Sequence, residues 1–117
     1  MSKITKQEVE NFLNDFFSKL KVYDIFFKNR EKNENALLKL EITATQRLEY
    51  IKSISPKNYI GGPSEDKYDP DSPPNWEFGL KIKNEYVYVK INLGKPKKRV
   101  MCISFHIAEN KMIFPFK

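Results

Sequence analysis

From Trp76 to the carboxy terminus, apolar residues recur at every second position. Trp76, Phe78, Leu80 and Ile82 alternate with Glu77, Gly79, Lys81 and Lys83. Val87, Val89, Ile91 and Leu93 alternate with Tyr86, Tyr88, Lys90 and Asn92, and Met101, Ile103, Phe105 and Ile107 with Val100, Cys102, Ser104 and His106. Met112, Phe114 and Phe116 continue the pattern. A period of two puts one set of side chains on each face of a pleated strand. Lys83-Asn84, Gly94-Lys95-Pro96-Lys97 and Glu109-Asn110 separate the runs as turns. The segment therefore predicts a four-stranded antiparallel meander with one greasy face and one polar face. Pro115 makes the last strand short or places it at an edge.

The amino-terminal half carries a different period. Val9, Phe12, Leu13, Phe16, Phe17 and Leu20 follow the spacing of an amphipathic helix from Lys6 to about Val22. Thr5 followed by Glu8 is a capping box at its start. Tyr23 to Phe27 is a short apolar run, a turn or the start of a second helix, and Phe27 to Asn33 reads as a polar loop. Asn35 to Leu40 predicts a short helix. Thr43 with Gln46 caps another that runs to about Ser53. Residues 55–75 hold five of the seven prolines, Gly61 and Gly62, and four acidic residues, the texture of a long loop. Length and layout give a single domain over residues 1–117, helical in 1–54, looped in 55–75 and sheet-forming in 76–117. The expected class is α+β, with the N-terminal helices packed on one face of the C-terminal four-stranded antiparallel β-sheet.

A two-residue turn at Lys83-Asn84 fixes a register. Trp76 then faces Ile91, Phe78 faces Val89 and Leu80 faces Val87 on the core side. On the open side Glu77 lies beside Lys90, Gly79 beside Tyr88 and Lys81 beside Tyr86. The following strand adds Cys102, Ser104 and His106 to this face, with Ser104 or His106 next to Tyr88. The charge distribution singles out the same region. Residues 1–80 carry 12 Lys and Arg against 13 Asp and Glu, a net of −1, whereas residues 81–117 carry 9 against 2, a net of +7. A basic face of this kind fits a polyanion or an acidic protein; its bland counterpart is a solvated, solubilising surface.

The residue types exclude several chemistries. One histidine and one cysteine (Cys102) leave no cysteine-based zinc site, no histidine-rich metal site and no internal disulfide, and no metal or cofactor is expected. Gly61-Gly62-Pro63 lacks the strand–loop–helix setting and the Lys-Ser/Thr of a phosphate loop. Ser104 and His106, two apart on one strand, stand about 7 Å from each other, too far for a nucleophile and its base. Metal-free cleavage of RNA suits the set better, because the ribose 2′-OH is the nucleophile. It needs a base, an acid and cations for the phosphorane charge. Tyr88, His106, Lys90 and Glu77 are the catalytic candidates, and Lys81, Lys83, Tyr86 and Ser104 the substrate-binding ones, aromatics among lysines being suited to unpaired bases. For Lys95, Lys97, Lys98 and Arg99 a solvated hairpin tip is the expectation. No apolar run reaches transmembrane length and the stretch from Met1 to Lys6 has no apolar core, so a cytoplasmic chain without a secretory signal is expected.

Val87-Tyr88-Val89-Lys90-Ile91, followed after a hairpin by Ile103-Ser104-Phe105-His106, resembles the C-terminal strands of MqsR-type toxins of the RelE/ParE superfamily, where a Val-Tyr-Leu-Lys-Ile strand precedes an Ile/Val-Ser-Phe-Lys strand. The chain, with Trp76-Glu77-Phe78-Gly79, is also similar to small MqsR-like and ParE-like proteins of bacterial type II toxin–antitoxin systems. The resemblance implies a RelE/ParE-like fold and an mRNA endonuclease that inhibits translation, acting on free or ribosome-bound mRNA and neutralised by a cognate antitoxin. In the ParE branch it implies instead a non-enzymatic inhibitor of DNA gyrase. It implies a catalytic tyrosine at Tyr88 and a basic residue at His106, here in place of lysine. Glu77 occupies the place of a family glutamine. A basic RNA- or protein-binding module without toxicity is the remaining alternative.

Overall fold

A computed structural model describes residues 3–117; Met1 and Ser2, the start of the stretch read for a secretory signal, lie outside the described residues. The chain is α+β, with three α-helices and one five-stranded mixed sheet among the described residues. Helix α1 spans Lys6–Tyr23, and Thr5 and Glu8 close the expected capping box at its start. Strand β1 is Ile25–Phe27, helix α2 is Glu31–Leu40, and helix α3 is Ala44–Lys52, capped by Thr43 and Gln46 as the spacing predicts. A single 3₁₀ turn, Pro56–Asn58, leads into β2, Tyr59–Ser64. The last three strands are β3, Asn75–Ile82; β4, Glu85–Asn92; and β5, Val100–Ile107.

The strand order is β1-β5-β4-β3-β2. The β3–β4 register matches expectation pair for pair: Trp76 opposes Ile91, Glu77 opposes Lys90, Gly79 opposes Tyr88 and Lys81 opposes Tyr86. Lys83 and Asn84 both take positive φ, 50° and 71°, the twist a two-residue hairpin requires. One face of the sheet is covered by helix. Phe12 of α1 stacks on Trp76 at 4.6 Å between ring centroids and on Phe78 at 6.3 Å, while Val9, Phe16 and, from α3, Ile51 are fully buried. Arg47 of α3 is buried as well. Its guanidinium lies 3.7 Å from the centre of the Phe27 ring, and its Nε has no hydrogen-bond partner.

Four expectations are corrected. Phe26 and its neighbours form neither turn nor helix but β1, which runs parallel to β5. Helix α2 begins at Glu31, four residues before the predicted start. Its buried Asn33 donates from Nδ2 to the Lys28 and Ile103 carbonyls and accepts from the Phe105 N–H, so a side chain extends the ladder where β1 ends. The 55–75 stretch contains β2, an irregular edge strand antiparallel to β3. Pro63 is tolerated there because an edge leaves its missing N–H without a partner to disappoint. The predicted fourth strand of the meander, Met112–Phe116, is absent. Its expected partner β5 already pairs with β1 and with Asn33, so the tail has no free edge of β5 to join and lies across the open face instead.

The β4–β5 pairing also departs from simple alternation. Lys90 opposes Ser104, but Ile91 opposes Cys102, so Ile103 is an extra residue on β5. This bulge turns Cys102 into the core, 1% exposed, rather than onto the open face. Ser104 and His106, beyond the bulge, stay on the open face.

Candidate functional site

The open face is divided by the carboxy-terminal tail. The tail starts where Glu109 pairs with Lys32 of α2 at 3.0 Å. A Cβ added to Gly79 would meet Met112 Cε and Phe114 Cζ at 2.8 Å, which places both side chains against the bare backbone of β3. Phe114 also packs on Tyr86, and Phe116 reaches Tyr59 of β2, with centroids 6.4 and 5.5 Å apart. Beside the tail, and with the tail as one wall, the face holds a cleft of about 560 Å³.

Glu77, Tyr88, Lys90, Ser104 and His106 all line this cleft. Three of the expected residues do not. Lys81 stands over the Tyr86 ring, 5.8 Å from its centre; Tyr86, still exposed, packs its ring beside Phe114 of the tail; and Lys83 turns away to donate to the Glu41 carbonyl at 3.1 Å. Sequence reasoning missed Arg30. It comes from the loop between β1 and α2, 74 residues from its partner, and its Nη1 donates to Ser104 Oγ at 3.3 Å. No local pattern signals such a contact.

The strand pairs hold the site. Tyr88 and His106 oppose each other on β4 and β5, with ring centroids 5.3 Å apart. Glu77, diagonal to Tyr88 on β3, accepts a hydrogen bond from the Tyr88 hydroxyl. Gly61 of β2 leaves room for that carboxylate, since a Cβ there would lie 2.7 Å from Glu77 Oε1. Burial is the main force pushing the Tyr88 phenol well above its ordinary pKa. The hydrogen bond to Glu77 and the Glu77 charge add to it, and Arg30 opposes it. Tyr88 is therefore a neutral donor at any physiological pH.

His106 Nδ1 lies 3.0 Å from the Ile107 carbonyl oxygen. A carbonyl only accepts, so Nδ1 carries a proton and the neutral ring keeps its free lone pair on Nε2. The cleft thus combines a base of imidazole type, a carboxylate held by a phenol, and the cations Arg30 and Lys90. Among the described residues, no group of three His, Cys, Asp or Glu side chains is placed to hold a metal ion. None of their helices is long and apolar enough to cross a membrane.

Comparison of this chain with models of protein families, with curated proteins and with solved structures gives no match.

Proposed function

We propose that the chain is a metal-free endoribonuclease of RelE/ParE-like type, the toxin of a bacterial type II toxin–antitoxin pair, acting on mRNA in the cytoplasm. The observation that carries this reading is the meeting of Tyr88, His106, Glu77 and Arg30 in one cleft. His106 Nε2 accepts the proton of a ribose 2′-OH. The 2′ oxygen then bonds to the adjacent phosphorus, and the bond from phosphorus to the 5′ oxygen breaks. Arg30 and Lys90 offset the charge that builds on the phosphorane oxygens. Tyr88 gives its proton to the departing 5′ alkoxide, a stronger base than any phenolate, and the proton taken up by His106 then passes to the phenolate through water, which resets both groups. The products are a 2′,3′-cyclic phosphate and a 5′-hydroxyl. Glu77 orients the phenol, and the tail wall keeps one side of the cleft dry. A cognate antitoxin would silence the site by covering its cations with carboxylates.

The test is incubation of the purified chain with mRNA, with and without ribosomes, followed by mapping of RNA ends. Cleavage is expected to leave cyclic phosphates and to fall about 10²–10⁴-fold in His106→Ala, the usual weight of a general base. If parent, Tyr88→Phe and His106→Ala are equally inert on RNA, the proposal fails. Inhibition of DNA supercoiling by an RNA-inert parent would replace it with gyrase inhibition.

A further inference from the structure

A second basic recess lies on the open face, at the opposite end from Tyr88. The hairpin joining β4 to β5 exposes Lys95, Lys97, Lys98 and Arg99, which line a groove of about 550 Å³. Only one carboxylate, Asp69, shares that lining. The hairpin is held in shape. Lys19 Nζ donates to the Lys95 carbonyl at 2.7 Å, the Gly94 N–H donates to Asn92 Oδ1 at 2.7 Å, and the Lys98 N–H to the Lys95 carbonyl at 3.0 Å. Four cations are therefore kept together against their mutual repulsion by bonds that leave their side chains free.

The groove is not merely charged. Phe26 and Tyr23 line it at 38% and 39% exposure, and the Arg99 guanidinium sits 5.1 Å from the centre of the Phe26 ring. Phe26 thus offers part of an aromatic ring to a planar ligand, beside a guanidinium. A flat ring beside several cations matches a single-stranded nucleic acid, whose bases stack while its phosphates pair.

The groove also leads to the cleft. Met101, in the groove, and Ile103, in the next depression, are two residues apart on β5. That depression is lined by the cations Lys28, Arg30, Lys67 and Lys90 and by the carboxylates Glu65 and Asp66, and Arg30 and Lys90 also line the cleft.

We propose that the hairpin groove is a second contact site for single-stranded RNA, binding phosphates through Lys95, Lys97, Lys98 and Arg99 and one unpaired base against Phe26. The choice of RNA over another polyanion rests on the reading of the cleft given above. A strand bound at both places would run across the open face, with its cut site at one end and its anchor at the other. Affinity would then reside largely away from the groups that do the chemistry.

The test uses a Tyr88→Phe/His106→Ala chain, so that bound RNA is not consumed, and an unstructured 12-nucleotide RNA with a fluorescent end. Anisotropy gives affinity as a function of salt. Replacing all four hairpin cations by alanine should reduce the log–log salt slope by about 3, four phosphate contacts at roughly 0.7 each. Phe26→Ala should weaken binding about 5- to 100-fold, the loss of one base stack, and Phe26→Tyr should restore it. An unchanged slope in the hairpin variant overturns the inference. So does Phe26→Ala binding within about twofold of its parent, or a poly-glutamate peptide that competes as well as RNA, which would make the groove a protein-docking patch. The two proposals fail separately. If the active chain cuts RNA while the hairpin variants bind normally, only the groove is lost. If the active chain is inert while binding depends on the hairpin and Phe26, only the cleavage reading is lost.

Discussion

Replacing Gly79 by alanine should loosen the tail from the sheet without unfolding the protein. The new Cβ would lie 2.8 Å from Met112 Cε and Phe114 Cζ and 2.9 Å from Met112 Sδ. Ordinary carbon contact needs about 3.5 Å, so these atoms must retreat by roughly 0.7 Å. All three belong to the far ends of side chains on a segment with no helix or strand. The tail is anchored next to its start by the Ala108 N–H to the Tyr86 carbonyl, 2.8 Å, and by the exposed Lys32–Glu109 pair. The sheet beneath is tied by β3–β4 pairs on one side and β2–β3 pairs on the other, so the tail yields first. Overpacking costs about 1–3 kcal/mol, but most of that is relieved when a tether gives way. Alanine in a strand interior returns about 0.5–1 kcal/mol relative to glycine, whose backbone loses more freedom on folding. The net change in global stability should stay within about 1 kcal/mol by urea denaturation. Trypsin cleavage after Lys111 should accelerate severalfold, because the segment must leave the sheet to enter a protease. A loss above about 3 kcal/mol with unchanged cutting at Lys111 would show the tail to be part of the cooperative core and refute the reasoning.

Three further outcomes follow from particular side chains. Burial pushes the Cys102 thiol up from 9.0 to about 12, so its contribution to stability is full below pH 9 and is lost as pH climbs toward 12. Between pH 8 and 10.5 this amounts to about 2 kcal/mol, and Cys102→Ala should flatten urea-derived stability by that much; coincident pH slopes would sink the assignment. Glu77→Gln should bring the Tyr88 titration, followed by NMR of ¹³C-labelled tyrosine, down toward 10 but not to it, since burial ranks ahead of Glu77 among the causes. A full return to 10 would mean that the carboxylate, not burial, dominates. Asn33→Ala leaves the Lys28 and Ile103 carbonyls and the Phe105 N–H without their partner, and thermal or urea unfolding should register a loss of about 3 kcal/mol. A cost below about 1 kcal/mol would mean that water replaces the amide freely.

The β3–β4 hairpin was legible because two independent constraints agreed on it. Alternation from Trp76 to Ile82 and from Val87 to Ile91 fixed the faces, and a two-residue turn fixed the register. β5 was harder. Val100-Met101-Cys102-Ile103 is an unbroken apolar run, so the pattern cannot say which residues point inward or where an extra one is accommodated. Strict alternation put Cys102 beside Ser104 and His106, and the bulge at Ile103 moved it to the core. β1 has only three residues, too few for any period, and β2 is written in glycine and proline because it is an irregular edge. Met112, Phe114 and Phe116 did announce one apolar side. What they pack on depends on which sheet edges are already occupied, and no local signal carries that. Arg30 was illegible for the same reason: its place in the cleft comes from how β1 crosses to α2, not from its neighbours in sequence.

The partition of the open face follows from what each part of it offers. Gly79 and Tyr86 present bare backbone and an aromatic ring, and the tail's Met112 and Phe114 settle there because apolar area is what they can bury. Glu77, Tyr88, Lys90, Ser104 and His106 present groups that would lose water to no benefit under an apolar strap, so the tail stops short of them and becomes a wall. The wall has an electrostatic consequence. Burial of Tyr88 in the cleft that the tail helps to wall raises the cost of a phenolate and keeps the hydroxyl protonated, and Arg30 acts there through a medium less screening than bulk water. The bulge completes the arrangement from the other side. It buries a thiol that would otherwise add a further ionisable group to the face, and it leaves the buried Ser104 on the cleft side of the sheet, where Arg30 donates to it. The same covering that secures an otherwise one-sided sheet thereby walls the polar cluster around Tyr88, and the chemistry of the cleft depends on where that covering ends.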